Sequence, residues 1–403
     1  MSRPAAGSGT PELLAPVSRG HDASPPPDPR RTGMVGAPAR MWLVFKRFAP
    51  VGFLGVLPLL VLIVAARAAV HAGDLGVDFR GELYPEAKLV LHGADPFPGP
   101  HADLAAGVNR IFPTPAALLL APLTFLAPAV ATASFVAFLL LALLATVRVL
   151  GVTDWRAYGT LLLWPSSIAA LQTGNLTILL GLLVAVAWRY RDRAYVSGIA
   201  IGAAIALKFF LWPVLVWMLA RRRYRAAAAG TAVACSSLLL VLPFTSIGDY
   251  LRLLDRLGNT FAPSSYNLIG LMVQSGLGGL AVAKLVAEGV GALVLALAYA
   301  RRSLPLSIAA ALVLSPIVWL HYFVLLLIPL GMRYPRLSIA WFVPLGLFVC
   351  PGSGAVTRAW EIVVALVVLA TTTALCEWQR SSLLPHGPPP LAGRSRTTIR
   401  ALR

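Results

Sequence analysis

The sequence predicts an all-α polytopic membrane protein of about 10–12 transmembrane or half-membrane helices with a large first extracytoplasmic loop. Three observations predict it. Of 403 residues, 58% are hydrophobic and 12% charged, about half the charge density of a soluble domain. So few charges cannot cover a water-facing surface. Apolar runs close to or above the length that crosses a ~30 Å hydrocarbon core recur along the chain. The basic residues stand in short clusters between those runs, as topology signals do. The net charge of +18 therefore reads as membrane orientation rather than as a nucleic-acid footprint, and no nucleic-acid partner is expected.

The elements follow in order. Residues 1–40 are rich in Pro, Gly, Ala and Arg and have no apolar run, so they read as a disordered, basic cytoplasmic tail rather than a cleavable signal. The membrane domain is expected over 41–379. Its first span, 51–70, follows Arg40, Lys46 and Arg47, which places that side in the cytoplasm. The loop 71–112 then holds six of the sixteen acids, Asp74, Asp78, Glu82, Glu86, Asp95 and Asp103, against three basic residues. That is an outside composition. The stretch 114–147 is long for one helix and contains Pro115, Pro122 and Pro128, which predicts a half-helix followed by a full span.

The stretches 160–188 and 195–220 both start and end at basic clusters, so each reads as a hairpin with an outward tip, near Gly174-Asn175 and near Lys208. Their arms of roughly 13–15 residues span about 20–22 Å as helix, short for a full bilayer. Residues 226–247 go out to a second outer loop, 248–266, and 267–300 returns. Residues 304–330 go out and back, with Trp319-Leu320-His321 at the tip; 339–349 exits and 360–378 returns. Residues 380–403 read as a second disordered, basic cytoplasmic tail. Both termini are expected in the cytoplasm of a multi-pass plasma-membrane protein. Cys235, Cys350 and Cys376 have no metal-binding spacing and no disulfide framework.

Polar residues that interrupt apolar stretches nearly all fall on the outer side: Asp78, Gln172, Asn175, Lys208, Asn267 and His321. Such groups at membrane depth are costly unless they line a cavity or find partners, so together they predict one outward-facing polar cavity. Asp78, between Val77 and Phe79, reads as a general base or hydroxyl ligand, or as a solvated loop acid. Lys208, after Ala203–Leu207 and before two phenylalanines, reads as a cation for a phosphate or as a snorkelling lysine. His321 reads as a donor to a phosphate or sugar, or as a buried histidine bonded to a carbonyl. Arg252 and Arg256 share a helical face and would meet a phosphate or pair with Asp249 and Asp255. No Walker-type loop, nucleophile elbow or metal-ligand set is present.

At these residues the chain resembles the polyprenol-phosphate-sugar-dependent membrane glycosyltransferases of the GT-C superfamily, and most of all the actinobacterial mannosyltransferase-like group, glycosyltransferase family 87. The resemblance runs from about residue 50 to 378. It is carried by Asp78 with Tyr84, Ala87, Gly93 and Pro96-Phe97, by Phe112-Pro113-Thr114-Pro115 and the Pro122 region, by Gly174-Asn175-Leu176-Thr177, by Ala206-Leu207-Lys208, and by Ser315-Pro316-Ile317-Val318-Trp319-Leu320-His321-Tyr322. Members usually carry a Gly-Gln-x-Asn pattern, from which Gly174-Asn175-Leu176-Thr177 departs. The resemblance implies a GT-C-like bundle with an extracytoplasmic active site. It implies inverting transfer of a hexose or pentose, mannose first, from a polyprenyl-phosphate donor to a cell-envelope glycolipid or lipoglycan, among membrane lipids, with no cofactor and no metal. Asp78 would be the base. Lys208 and His321 would lie by the donor phosphate, and Asn175, Asn267, Arg252 and Arg256 are further candidates, from their positions, for holding the donor phosphate or sugar. The competing readings are a lipid or sugar transporter or flippase, which predicts internal repeats and a polar path at mid-bilayer depth, and an inactive assembly partner.

Overall fold

The computed structural model describes residues 49–106, 110, 112–350 and 357–382; the expected tail 1–40 and most of the tail 380–403 lie outside the described residues. No strand occurs among the described residues, and those from Pro50 onward form one compact unit. Helix α1 (Leu57–Ala72) is entered through a π turn at Gly52–Val56. Leu59, Ile63 and Val64 on it are more than half exposed. An apolar surface of that kind is stable against lipid and costly against water. Among the described residues, four helices are long and apolar enough to cross a membrane: Ala49–Ala72, Pro128–Val149, Leu280–Ala300 and Ala359–Trp378. A fifth crossing would be the pair Pro165–Thr173 and Thr177–Arg189, bent by 117° at its break, and six shorter apolar helices complete the set.

The expected breaks near Pro128, Gly174 and Lys208 are present. Helix α2 (Tyr84–Leu91) precedes α3 (Thr114–Leu120), which passes into a 3-10 turn, Ala121–Phe125; α4 (Pro128–Val149) then starts on a proline, whose missing N–H is not needed at a first helical position. Helices α5 (Trp155–Leu162), α6 (Pro165–Thr173) and α7 (Thr177–Arg189) follow. Helix α8 (Ala194–Leu207) stops at Lys208 in extended backbone, before a 3-10 turn and α9 (Pro213–Ala220). After α10 (Tyr224–Leu239), the segment expected as a second outer loop is instead helix α11 (Ile247–Phe261). Ser246 caps it by accepting from the Asp249 N–H at 3.0 Å, and Tyr250, Leu253 and Leu257 are buried along one stripe. The first loop likewise contains α2 and the π turn Phe79–Leu83 before it. Helices α12 (Leu268–Gln274), α13 (Leu280–Arg301), α14 (Leu304–Leu314), α15 (Leu327–Arg333) and α16 (Ala359–Ser382) complete the chain. The last runs beyond the expected boundary at 379.

Small residues let α8 and α10 cross closely. A Cβ on Gly202 would lie 2.6 Å from the Gly230 carbonyl oxygen and 2.6 Å from the Val233 Cβ. Backbone contact of this kind drives helix association where lipid removes the hydrophobic incentive. Gly202→Val is expected to lower stability by about 1–3 kcal/mol through overpacking, seen as a lower apparent melting temperature in detergent. Gly289→Ala on α13, where an added Cβ meets nothing within 4 Å, is expected to leave it unchanged or slightly higher. Equal behaviour of the two variants would show that the α8–α10 crossing is not tight.

Candidate active site

Two left-handed glycines bring Asp78 to the α6–α7 break. Gly76, with φ +68°, donates its N–H to the Gln172 carbonyl at 2.5 Å, and Gly174, with φ +67°, ends α6. A Cβ on Gly174 would come within 3.1 Å of the Phe79 Cβ and 3.3 Å of the Gly76 Cα, so no larger residue fits there without displacing the segment that carries Asp78. Phe79 anchors that segment: it is fully buried, stacks on Phe135 at 4.7 Å between centroids and meets Tyr84 edge-on at 5.8 Å.

The residue after Gly174 is the partner. Asn175 Nδ2 donates to Asp78 Oδ2 at 2.6 Å, while Asn175 Oδ1 accepts from the Thr177 N–H at 3.0 Å and the Thr177 hydroxyl at 2.6 Å. A backbone N–H can only donate, so it fixes which end of the Asn175 amide faces Thr177. The carboxylate therefore receives a donor on one oxygen from an amide that cannot flip without losing two bonds. Of the other residue in this run, Gln172, Nε2 donates to the Ala65 carbonyl at 3.2 Å.

Lys208 comes from the α8 break. Its ammonium lies over the Tyr322 ring, 4.2 Å from the centroid, and 5.3 Å from the Phe112 ring. It forms no ion pair with a carboxylate among the described residues. Two aromatic faces hold the cation in place and leave its charge available. His321, just after the break that follows α14, is almost wholly enclosed, and neither ring nitrogen has a hydrogen-bond partner. Buried polar atoms are seldom left without a partner.

Asp78, Asn175, Lys208 and His321 all line one cavity of about 560 Å³, within the range of ligand sites. Phe209, Phe210, Trp212, Leu254 and Leu257 supply much of its apolar wall. Burial pushes the Asp78 carboxyl above the usual aspartate range, against the pull of the Asn175 amide and the Lys208 ammonium. A second carboxyl, Glu82, lines the same cavity, and burial together with the charge of Asp78 holds it well above its ordinary value despite Lys208.

The remaining predicted residues do not line the cavity. Asn267 caps α12, accepting from the Gly270 N–H at 2.8 Å, and donates to the Ser315 and Pro316 carbonyls at 3.1 and 2.7 Å. It shapes the break before His321 from behind. Arg252 pairs with Asp249 on the exposed side of α11. Arg256 donates to the Gly99 and Ala102 carbonyls at 3.2 and 2.7 Å, tying α11 to the first loop. The cavity also holds two residues that the sequence reading did not single out, Glu82 and Tyr250; the Tyr250 hydroxyl is buried without a hydrogen-bond partner. The signals existed: Glu82 is one turn beyond Asp78, and Tyr250 lies on the apolar stripe of α11.

Comparison with known proteins adds one finding. A family model described as glycosyltransferase family 87 matches residues 111–329, more than half of the chain. No curated protein and no solved structure matches it. The matched stretch carries Asn175, Lys208 and His321, and Asp78 and Glu82 precede it. On that match, in an α-helical membrane protein whose chain breaks meet around one cavity, the chain belongs to glycosyltransferase family 87 and is a membrane transferase.

Proposed function

We propose that this protein moves a hexose or pentose, mannose first, from a polyprenyl-phosphate donor to a glycolipid or lipoglycan acceptor, with inversion, at the extracytoplasmic face of the plasma membrane. The reading is supported above all by one observation: a carboxylate and a lysine from distant parts of the chain open into the same largely apolar cavity. In the reaction the acceptor oxygen attacks the anomeric carbon from the face opposite the phosphate. Asp78 takes the acceptor proton as the new C–O bond forms, and the electron pair of the breaking bond remains on the phosphate. One carboxylate suffices, since inversion needs no covalent sugar–enzyme intermediate. Negative charge grows on the leaving phosphate, where the fixed cation Lys208 and an N–H of His321 stabilise it more in the transition state than in the ground state. The apolar wall formed by Phe209, Trp212, Leu254 and Leu257 suits an isoprenoid chain. The proposed sidedness is supported by the basic clusters, from which the positive-inside rule predicts the breaks at Gly174, Lys208 and Trp319 on the non-cytoplasmic side.

The test is to incubate purified protein with a panel of labelled polyprenyl-phosphate sugars and a membrane glycolipid extract, with and without a metal chelator. Transfer from one donor is expected, with inverted anomeric configuration. The rate is expected to be unchanged by the chelator, because Lys208 and His321 carry the charge stabilisation in this reading. Lipid translocation in liposomes without sugar transfer to any acceptor would overturn the reading in favour of a transporter.

A further inference from the structure

We propose that Glu82 is a second substrate-binding acid of this site, a carboxyl that donates its hydrogen to a sugar or acceptor oxygen beside Asp78. This rests on the reading of Asp78 as the base. Asp78 and Glu82 lie one turn apart at the π turn Phe79–Leu83 and line the same cavity. Residues four apart in a helical segment project to the same side, and π turns recur at functional sites. The two carboxyls differ in their partners. Asp78 is held by Asn175, whereas Glu82 has no hydrogen bond or ion pair among the described residues and is partly open to the cavity. Its carboxyl is available to a ligand.

Charge then selects the protonation state. Among the described residues, the polar groups that face this space include Asp78 from the same turn, Asn175 from the α6–α7 break, Lys208 from the α8 break, His321 and Tyr322 after α14, and Tyr250 from α11. Lys208 is the one permanent cation among them. A donor phosphate adds at least one negative charge to Asp78, and a second free carboxylate within one turn would repel both. As the neutral acid, Glu82 removes that repulsion and supplies a donor where Asp78 supplies an acceptor. Burial and the charge of Asp78 act in the same direction. Glu82 keeps its proton throughout the transfer. The acceptor proton goes to Asp78, so the atoms and charges of the reaction are unaltered. Two carboxyls of opposite protonation state, set by their surroundings, give distinct roles to chemically similar groups.

Two measurements on the full-length protein test this. The first is independent of substrate. Infrared difference spectra between wild type and Glu82→Gln at neutral pH are expected to contain the C=O stretch of a protonated carboxyl, which disappears as the pH is raised. A carboxylate band in its place at neutral pH would overturn the proposal. The second is the pH profile of kcat/KM with labelled polyprenyl-phosphate mannose and a membrane glycolipid extract. Glu82→Gln retains shape and an N–H donor. It is expected to keep activity within about tenfold of wild type and to lose the alkaline fall that wild type shows as Glu82 ionises. Glu82→Ala is expected to fall by about a hundredfold. Should Glu82→Ala not fold, the wild-type and Glu82→Gln pair decides alone. An unchanged alkaline limb in Glu82→Gln, or a loss equal to that of Glu82→Ala at every pH, would overturn the proposal. Activity in Asp78→Asn would refute the base reading instead, so the two failures are separable.

Discussion

Asp78→Asn is expected to reduce transfer by about 10²–10⁴-fold, the range assigned to a positioned general base, while donor binding and the melting temperature stay close to wild type. The substitution keeps the size of the side chain and an oxygen for the Asn175 amide, which donates at 2.6 Å. It removes only the capacity to take a proton. The pH dependence gives a second readout. A base works when deprotonated, and burial raises the Asp78 carboxyl above the usual aspartate range. Activity should therefore fall as the pH drops through that raised value, at a higher pH than an exposed aspartate would give. The residual activity of Asp78→Asn should lack that limb. Asp249→Asn is the control. Asp249 pairs with Arg252 on the exposed side of α11, away from the cavity, and its loss should leave transfer unaltered. Wild-type rates in Asp78→Asn would remove the carboxylate from the mechanism.

The breaks were legible in the sequence for a physical reason. A proline, a glycine or a charged residue inside an apolar run cannot continue a lipid-facing helix without cost. Pro128 accordingly opens a helix, and Gly174 and Lys208 stand where helices stop. Which of those polar residues would face the cavity was not legible. Asn175 and Asn267 look alike in sequence, each a lone amide beside an apolar stretch, yet one holds Asp78 and the other caps α12 and binds two carbonyls. Either use satisfies a buried amide, and only the three-dimensional path of the chain decides between them. Helix α11 was obscured by its charges. Asp249, Arg252, Asp255 and Arg256 suggest a solvated loop by composition, although Tyr250, Leu253 and Leu257 between them recur at helical spacing. Glu82 was one of six acids in the first loop, and its spacing of one turn from Asp78 is the local signal that sets it apart, since both line the cavity.

Lys208→Met is expected to reduce transfer by about 10²–10³-fold, the cost of removing one preorganised charge from a low-dielectric site. It should do so without lowering the stability of the protein. The ammonium rests over two rings, at 4.2 and 5.3 Å, contacts of about 0.5–2 kcal/mol each at most. It is half-buried, makes no ion pair at contact distance among the described residues, and acts on Asp78 and Glu82 across the cavity. Removing the charge therefore breaks no close ion pair of the fold. Methionine fills a similar volume, so the melting temperature of Lys208→Met should equal or exceed that of wild type while its activity collapses. Lys208→Arg should recover only part of the rate, because a planar guanidinium does not occupy the place of a compact ammonium between Tyr322 and Phe112. If Lys208→Met lost stability and activity together, Lys208 would be a structural cation, and the phosphate would need another partner in the cavity.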